Sequence, residues 1–121
     1  MLTNSQGFKR FFELYFEPVY RRHQQHFEAL KEKEQRNLDE KTVICEIVEA
    51  MEYDTFTTFQ DWENKTQEII ALQAKWKTIG YAPQKMNVKI FERFRAACDE
   101  FFKRKAEFFN EVFTRYGLIQ A

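Results

Sequence analysis

The stretch Leu72-Gln-Ala-Lys-Trp-Lys-Thr-Ile-Gly-Tyr-Ala-Pro-Gln-Lys-Met-Asn-Val-Lys-Ile-Phe91 decides the fold, because one helical pattern ends in it and another begins. Trp76 and Ile79 are the last apolar residues of the first pattern. Gly80 follows them, and we expect it to adopt the left-handed conformation that closes many helices. The stretch therefore predicts a helix that ends near residue 79.

The second half of the same stretch predicts how the next helix starts. Pro83 cannot continue a helix, since it has no N–H group and restricts the backbone of Ala82. Asn87 can accept a hydrogen bond from the first free amides of a helix. We therefore expect the next helix to begin at about Val88, with Asn87 as its N-cap.

Two long apolar patterns flank this connection. Thr58 and Asp61 have the spacing of a helix cap, and apolar residues follow at three-four spacing over residues 59–76. A near-heptad pattern runs over residues 91–112, interrupted only by Lys105. Both patterns predict amphipathic helices. With only three Gly and two Pro in 121 residues, the composition also argues against an all-β fold.

The N-terminal third of the chain has a helical pattern as well. Aromatic residues from Phe8 to Phe16 recur at spacings of three and four. Pro18 predicts either a kink or a new helix with the proline in its first turn. Asn37-Leu-Asp-Glu40 has the form of a capping box, which would start a separate helix there. The alternative, which we favour, is one continuous helix from Pro18 to about Glu52, because no residue in that range breaks a helix.

These patterns predict an all-α fold, an antiparallel three-helix bundle preceded by an additional N-terminal helix that lies against it. We expect residues 1–37 to form the N-terminal helix, residues 38–116 the three-helix domain, and residues 117–121 a tail. The first bundle helix should bury Val43, Ile44, Ile47, Val48 and Met51, with Cys45 at the flank of that face. The expected core consists of Val43, Ile47, Val48, Met51, Trp62, Ile69, Trp76, Ile79, Phe91, Phe94, Cys98, Phe101 and Phe108.

Charge is unevenly distributed along a chain whose formal net charge is zero. Residues 40–68 contain eight acids and two bases, a net charge of −6, whereas residues 75–105 contain nine bases and three acids, a net charge of +6. One interpretation is that two neighbouring helices of opposite charge attract along their edges. The alternative is a basic surface for RNA or another polyanion, with Trp76 and Tyr81 nearby for base stacking. The residues of that candidate surface are Lys75, Lys77, Lys85, Lys89, Arg93 and Arg95.

The last helix carries a second apolar stripe, offset by about one position from the first. A helix with two apolar faces requires two neighbours. Leaving the second stripe in water would forgo several kcal/mol, at about 1.5 to 3 kcal/mol for each large side chain. Either the N-terminal helix covers this stripe or a partner does. The stripe consists of Phe102, Phe109, Phe113 and Tyr116.

The sequence carries no catalytic or cofactor motif that we recognise. It has no phosphate-binding Gly-rich loop, no nucleophile elbow, and no Glu-x-x-His pair of the kind that holds two metals in a helical bundle. His23 and His26 lie near Glu28, but we interpret them as a half-buried and a solvated histidine, not as metal ligands. We therefore expect no enzyme activity, no cofactor, no metal and no small-molecule substrate.

The cysteines and the N-terminus indicate the compartment. Cys45 and Cys98 lie on apolar stripes with no further Cys or His at ligand spacing, which is typical of reduced thiols in a protein core. The first ten residues lack the apolar run of a signal peptide, and no window approaches the roughly 18 apolar residues of a membrane span. We expect a cytoplasmic protein without membrane contact.

An internal echo links the two ends of the chain. Phe8-Lys-Arg-Phe11 aligns with Phe91-Glu-Arg-Phe94, and Val19-Tyr-Arg-Arg22 aligns with Phe101-Phe-Lys-Arg104 after a one-residue shift. A recurrence of roughly 80 residues is compatible with a helical repeat. The echo predicts the last helix of one repeat followed by one complete repeat.

Three strings of the sequence together form a specific motif: Trp76-Lys-Thr-Ile-Gly80, Ala82-Pro-Gln-Lys85 and Phe91-Glu-Arg-Phe-Arg-Ala-Ala-Cys-Asp-Glu-Phe-Phe-Lys-Arg-Lys105. Through these strings, residues 38–110 resemble a bacterial family, the domain of unknown function 349. The resemblance implies tandem arrays of three-helix units, in agreement with the echo. Glu17-Pro18 departs from the family pattern, which implies a degenerate or truncated N-terminal copy.

The family has no established activity, so the resemblance leaves the function open. We expect a non-catalytic helical interaction or scaffold module that packs against sister repeats or a protein partner. The alternative is RNA or other polyanion binding through the basic surface around residues 75–95. The two differ in one property that can be measured, since binding of a polyanion weakens steeply as salt rises.

Overall fold

A computed structural model describes residues 4–117, and all of the long elements in that range are α-helices. The three longest pack as an up-down-up bundle, and short connections join them. The all-α prediction of a three-helix bundle preceded by further N-terminal helix is confirmed. The elements are α1 (Asn4–Phe11), a π turn (Phe12–Phe16), α2 (Glu17–Glu49), a 3₁₀ turn (Tyr53–Thr55), α3 (Phe59–Thr78) and α4 (Gln84–Arg115).

The chain runs without a break from α1 through the π turn into α2. Pro18 lies in the first turn of α2, and the Glu17 N–H group donates to the Phe12 carbonyl five residues earlier. A proline ring clashes with the carbonyl four residues before it, here that of Leu14, and the wider π turn accommodates the ring. The helix also continues through Asn37, so the favoured alternative of a continuous helix is confirmed.

The connection between α3 and α4 differs from its prediction at both ends. Ile79 is already extended, and Gly80 does not have the expected left-handed conformation; among the described residues, only Gly117 has a positive φ, of 72°. Gly80 is instead crowded, since a Cβ atom there would lie 2.9 Å from the Asn37 Nδ2 atom. Glycine at this position therefore lets the α3–α4 connection approach α2 closely, and it does not act as a helix cap.

α4 begins at Gln84, four residues before the predicted start. Pro83 directly precedes it, and the Pro83 carbonyl accepts hydrogen bonds from the N–H groups of Met86 and Asn87 at 2.7 and 3.2 Å. Asn87 therefore lies inside the helix and is not its N-cap. Its Oδ1 atom accepts a hydrogen bond from the Ala82 N–H group at 2.8 Å, so the side chain stabilises the connection.

The core lies between the second half of α2, α3 and α4. Cys45, Ile69 and Phe101 are fully buried at its centre. Beneath the α2–α3 connection, Trp62 meets the ring of Phe56 edge-on at 5.0 Å and that of Phe101 at 5.6 Å. The expected core residues Val48, Trp62, Ile69, Phe94, Cys98 and Phe101 are buried, and Met51, Trp76, Ile79 and Phe108 pack against them while partly buried.

Three residues expected in the core are about half exposed: Val43, Ile47 and Phe91. In α2 the inward positions are instead Lys41, Ile44, Cys45 and Val48. The apolar stripe of this helix is wider than its buried strip, and α3 and α4 cover the edge that contains Cys45. Ile90 is buried in place of its neighbour Phe91 for the same reason.

The N-terminal arm, which we define as residues 4–36, does not lie against the bundle. Almost every side chain from Phe8 to Lys33 is exposed. The expectation that this helix packs on the bundle is therefore wrong, and so is the alternative in which it covers the second stripe of α4. The reason is the uninterrupted helix: without a turn near Asn37, the arm projects along the axis of α2.

Candidate interaction surfaces

One face of the N-terminal arm is an extended apolar surface that is exposed. Rings four residues apart contact one another along it, as Phe12 and Phe16 do at 4.9 Å and Phe16 and Tyr20 at 6.4 Å. Seven aromatic side chains belong to the face, each between 39% and 70% exposed. We call this surface the aromatic face; its rings are Phe8, Phe11, Phe12, Tyr15, Phe16, Tyr20 and Phe27, and Val19 and Leu30 extend it.

The second stripe of α4 is divided between buried and exposed parts. Phe109 and Phe113 contact the ring of Phe59 at 4.8 and 5.9 Å, so α3 partly covers them. Phe102 is 40% exposed and Tyr116 is 73% exposed. The four residues therefore do not form a continuous free surface.

Ion pairs account for part of the charge asymmetry. The Nε and Nη2 atoms of Arg93 on α4 donate hydrogen bonds to both oxygens of the Glu49 carboxylate on α2, and this interaction lowers the pKa of Glu49. Lys105 on α4 lies 3.8 Å from Glu63 on α3. The remaining ion pairs of the described residues join neighbours within one helix, as Arg95 and Asp99 do at 3.8 Å.

Four residues of the candidate basic surface have no ion pair within residues 4–117. They are exposed lysines in the last turn of α3 and the first turns of α4, namely Lys75, Lys77, Lys85 and Lys89.

Lys77 and Arg95 lie at one cleft, whereas Lys89 and Arg93 lie two residues on either side of Phe91. At about 100° per residue, those two point to the opposite side of α4 from Phe91. The six predicted bases therefore do not converge on one surface.

Two adjoining clefts meet at Trp76 and Lys77. The first, of about 420 Å³, has the rings of Phe91 and Phe94 in its lining, together with Arg95. The second, of about 400 Å³, is lined by Lys41 and by residues 76–81. We call the two clefts together the Trp76 surface. Residues 76–80 are also the Trp-Lys-Thr-Ile-Gly string that the sequence singles out.

Lys41 is the unusual residue of this surface, because it is a lysine with only 8% of its surface exposed. Its Nζ atom lies 5.1 Å from the centre of the Trp76 ring, and burial lowers the pKa of the ammonium. No carboxylate of residues 4–117 pairs with it. Sequence reasoning missed Lys41 as a site residue, although its spacing to Ile44, Cys45 and Val48 places it on the inward face.

Trp76 has fewer free faces than the sequence suggests. Its ring stacks on Phe94 at 4.3 Å, with an angle of 9° between the planes, and Lys41 lies over the ring as well. Tyr81 is by contrast 81% exposed. Of the two aromatic residues expected near the basic surface, Tyr81 alone presents an open ring.

The remaining candidates for chemistry do not assemble a site in the described part of the chain. Cys45 and Cys98 are buried, and burial raises the pKa of the Cys45 thiol to about 11. Residues 4–117 contain no cluster of three His, Cys, Asp or Glu side chains that could hold a metal ion. None of the helices in that range is long and apolar enough to span a membrane.

Comparison with known proteins identifies the family. No curated protein and no solved structure matches the chain. Residues 8–85 match the model of the family described as Domain of Unknown Function (DUF349), which is more than half of the sequence. The match covers residues 8–36 of the N-terminal arm and stops at the start of α4. It therefore begins and ends earlier than the resemblance at residues 38–110 indicated, and the string at residues 91–105 lies outside it. The chain therefore belongs to the DUF349 family, as its sequence motifs predicted.

Proposed function

We propose that the protein is a non-catalytic assembly module, in which the N-terminal arm packs against a second helical unit of the same kind. One observation carries this proposal: the aromatic face of the arm is exposed over its whole length. If each of the seven rings has about 200 Å² of surface and half of it is exposed, one arm presents about 700 Å². That area is close to the roughly 800 Å² that each partner contributes to a stable interface.

The internal echo indicates the kind of groove that fits the arm. Phe11 aligns with Phe94 and Val19 with Phe101, and both of these α4 residues are buried between α2 and α3. A helix with the α4 pattern therefore suits a groove between two antiparallel helices. The family match favours the same interpretation, since it includes the arm and leaves most of α4 outside. We accordingly propose that the arm begins one unit and α4 begins the next.

The mass in solution tests this proposal. We expect the natural chain to form a dimer or larger species in sedimentation as its concentration rises. Replacing two rings of the aromatic face, Phe16→Glu with Phe27→Glu, should give a monomer with unchanged helical content. The matched control, Gln25→Glu with Ala29→Glu, adds the same charge on the opposite side of the helix, about 200° from Phe27, and should still assemble. A natural chain that stays monomeric at high concentration and binds no apolar dye would contradict the proposal.

A second candidate function is RNA or other polyanion binding, and the unpaired lysines favour it. Lys75, Lys77, Lys85 and Lys89 are exposed cations with no carboxylate partner among residues 4–117. Retention of a mixed RNA pool, measured as a function of salt, tests this candidate. A steep loss of retention between 50 and 200 mM salt is expected if several phosphates are contacted. Retention that does not depend on salt would count against it.

A further inference from the structure

We propose that the Trp76 surface is a binding track for single-stranded RNA, in which Lys41, Lys77 and Arg95 contact phosphates while Tyr81 and Phe91 stack on bases. This inference rests on the second candidate function and names its site and its ligand. It also moves the site, because Lys85, Lys89 and Arg93 lie outside the track.

The track is continuous because its two clefts share a wall. Trp76 and Lys77 line both of them, so the surface extends from Tyr81 past Lys77 to Phe91 and Arg95. The cations are nearly unopposed along this path. Asp99 is the one carboxylate in the linings of the two clefts, and its 3.8 Å contact with Arg95 joins two side chains that are more than 70% exposed. Such an exposed pair contributes little and opens readily.

Exposed rings distinguish this surface from a simple basic patch. Tyr81 and Phe91 are 81% and 51% exposed, and neither ring contacts another aromatic ring of residues 4–117. Unpaired bases stack on such rings, whereas the bases of a duplex are already stacked on one another. Two open rings between cations therefore favour a single strand over a double helix.

Lys41 is the least exposed of the three residues that contact phosphates in the proposed track. No acid of residues 4–117 pairs with the Lys41 ammonium, whose Nζ atom lies 5.1 Å from the centre of the Trp76 ring at the second cleft. The C-terminus of α3 is adjacent, and its carbonyl groups disfavour an anion there. Two lysines oppose that effect, since Lys77 lines the same cleft. A phosphate beside Lys41 and Lys77 would supply the counter-charge that both ammonium groups lack among residues 4–117.

The experiment is fluorescence anisotropy with a labelled 12-nucleotide single-stranded RNA at several salt concentrations. Replacing two track cations, Lys77→Met with Arg95→Met, should weaken binding at least tenfold and lower the salt slope by about 1.4, at about 0.7 per phosphate contact. The matched control, Lys9→Met with Lys103→Met, removes the same charge from two exposed lysines that line neither cleft, and it should change the Kd by less than about twofold. Lys41→Met keeps the packing of the side chain and should weaken binding about tenfold.

Tyr81→Ala tests stacking without changing charge, and its exposure makes misfolding of the variant a small concern. We expect a loss of about tenfold with an unchanged salt slope. An equal loss in the Lys9/Lys103 control would overturn the track while leaving polyanion binding in place. Equal affinity for a duplex of the same length, or tighter binding of polyglutamate, would also overturn it. Absence of RNA binding by the natural chain at low salt would refute the track and the second candidate function together.

Discussion

Asn37 connects two parts of the chain that are far apart in sequence. It lies within α2, and its Nδ2 atom donates a hydrogen bond to the Tyr81 carbonyl at 2.9 Å. The absence of a side chain at Gly80 gives Asn37 the space to do so. The sequence presents Asn37 as a helix cap, because its capping spacing is visible and its partner 44 residues away is not.

A double-mutant cycle tests this contact. In the natural chain, Gly80→Ala should be neutral or mildly destabilising, because its new Cβ displaces Asn37 from a hydrogen bond worth about 0.5–1.5 kcal/mol. In the Asn37→Ala background, Gly80→Ala should instead stabilise the fold by about 0.4–1 kcal/mol, since Gly80 needs no positive φ and alanine restricts the unfolded chain. Urea unfolding of the four proteins measures the difference. An identical effect of Gly80→Ala in both backgrounds would show that the two residues are independent.

The buried thiol of Cys45 predicts a loss of stability at alkaline pH. Burial raises its pKa from 9.0 to about 11 in the folded protein. The folded state therefore retains a proton that the unfolded state has lost, and stability present below pH 9 decreases as the pH rises to about 11. The total change from this thiol is about 3 kcal/mol at most.

Cys45→Ala is the comparison, although it lowers stability at every pH by leaving a small cavity. Its free energy of unfolding should depend less steeply on pH between 9 and 11. Taking the difference between the two proteins removes the contributions of Cys98 and Tyr53, whose pKa values burial also raises, and of Lys41, whose pKa burial lowers. Parallel profiles for the two proteins would contradict the prediction.

Among the elements, the start of α3 was predicted correctly and the start of α4 was not. Thr58 and Asp61 form a capping box: the Asp61 N–H group donates to the Thr58 hydroxyl, and the Thr58 N–H group donates to the Asp61 carboxylate. These bonds span three residues, so local spacing reveals them. Asn87 is also a residue type that caps helices, but Pro83 can itself precede a helix, and α4 begins directly after Pro83.

Thr58→Ala should lower the free energy of unfolding by about 1 kcal/mol, because the first amides of α3 lose their acceptor. The hydrogen bonds from Thr57 and Thr58 also lower the pKa of Asp61, so its contribution is present at neutral pH and is lost as the pH falls. Thermal unfolding at pH 7 measures the effect. Thr114→Ala on the exposed surface of α4 is the control and should leave stability equal or slightly higher.

The periodicity of the sequence predicted that each helix exists, but it did not predict how the helix is rotated about its axis within the bundle. Trp62, Ile69 and Phe101 were placed correctly because each lies near the middle of its stripe. Val43, Ile47 and Phe91 lie at the edges of wide stripes, where the neighbouring helices decide which edge is buried. The same limit affected the candidate site, since Lys41 and Phe91 belong to the Trp76 surface only because of how α2 and α4 are rotated.

At the scale of the whole molecule, stability should be unequal between the bundle and the arm. The arm is a helix whose side chains make few contacts outside it, and an isolated helix of this kind has little stability in water. In dilute solution, we expect amides of residues 8–33 to exchange hydrogen much faster than those of α3. At concentrations where the chain assembles, exchange in the arm should slow. Arm amides as protected as core amides in a dilute monomer would contradict this expectation.

Because the helix is uninterrupted from Asn4 into α2, the number of residues in the arm fixes its length. At about 1.5 Å per residue, residues 4–36 extend about 50 Å from the bundle, and in the proposed assembly that length would set how far apart two units lie. Inserting seven residues after Leu30 would lengthen the spacing by about 10 Å while leaving the aromatic face in nearly the same direction. Inserting a single residue would instead turn that face by about 100° relative to the bundle. In the proposed assembly, the number of residues in one helix would therefore determine both the distance between the two units and the direction of the aromatic face.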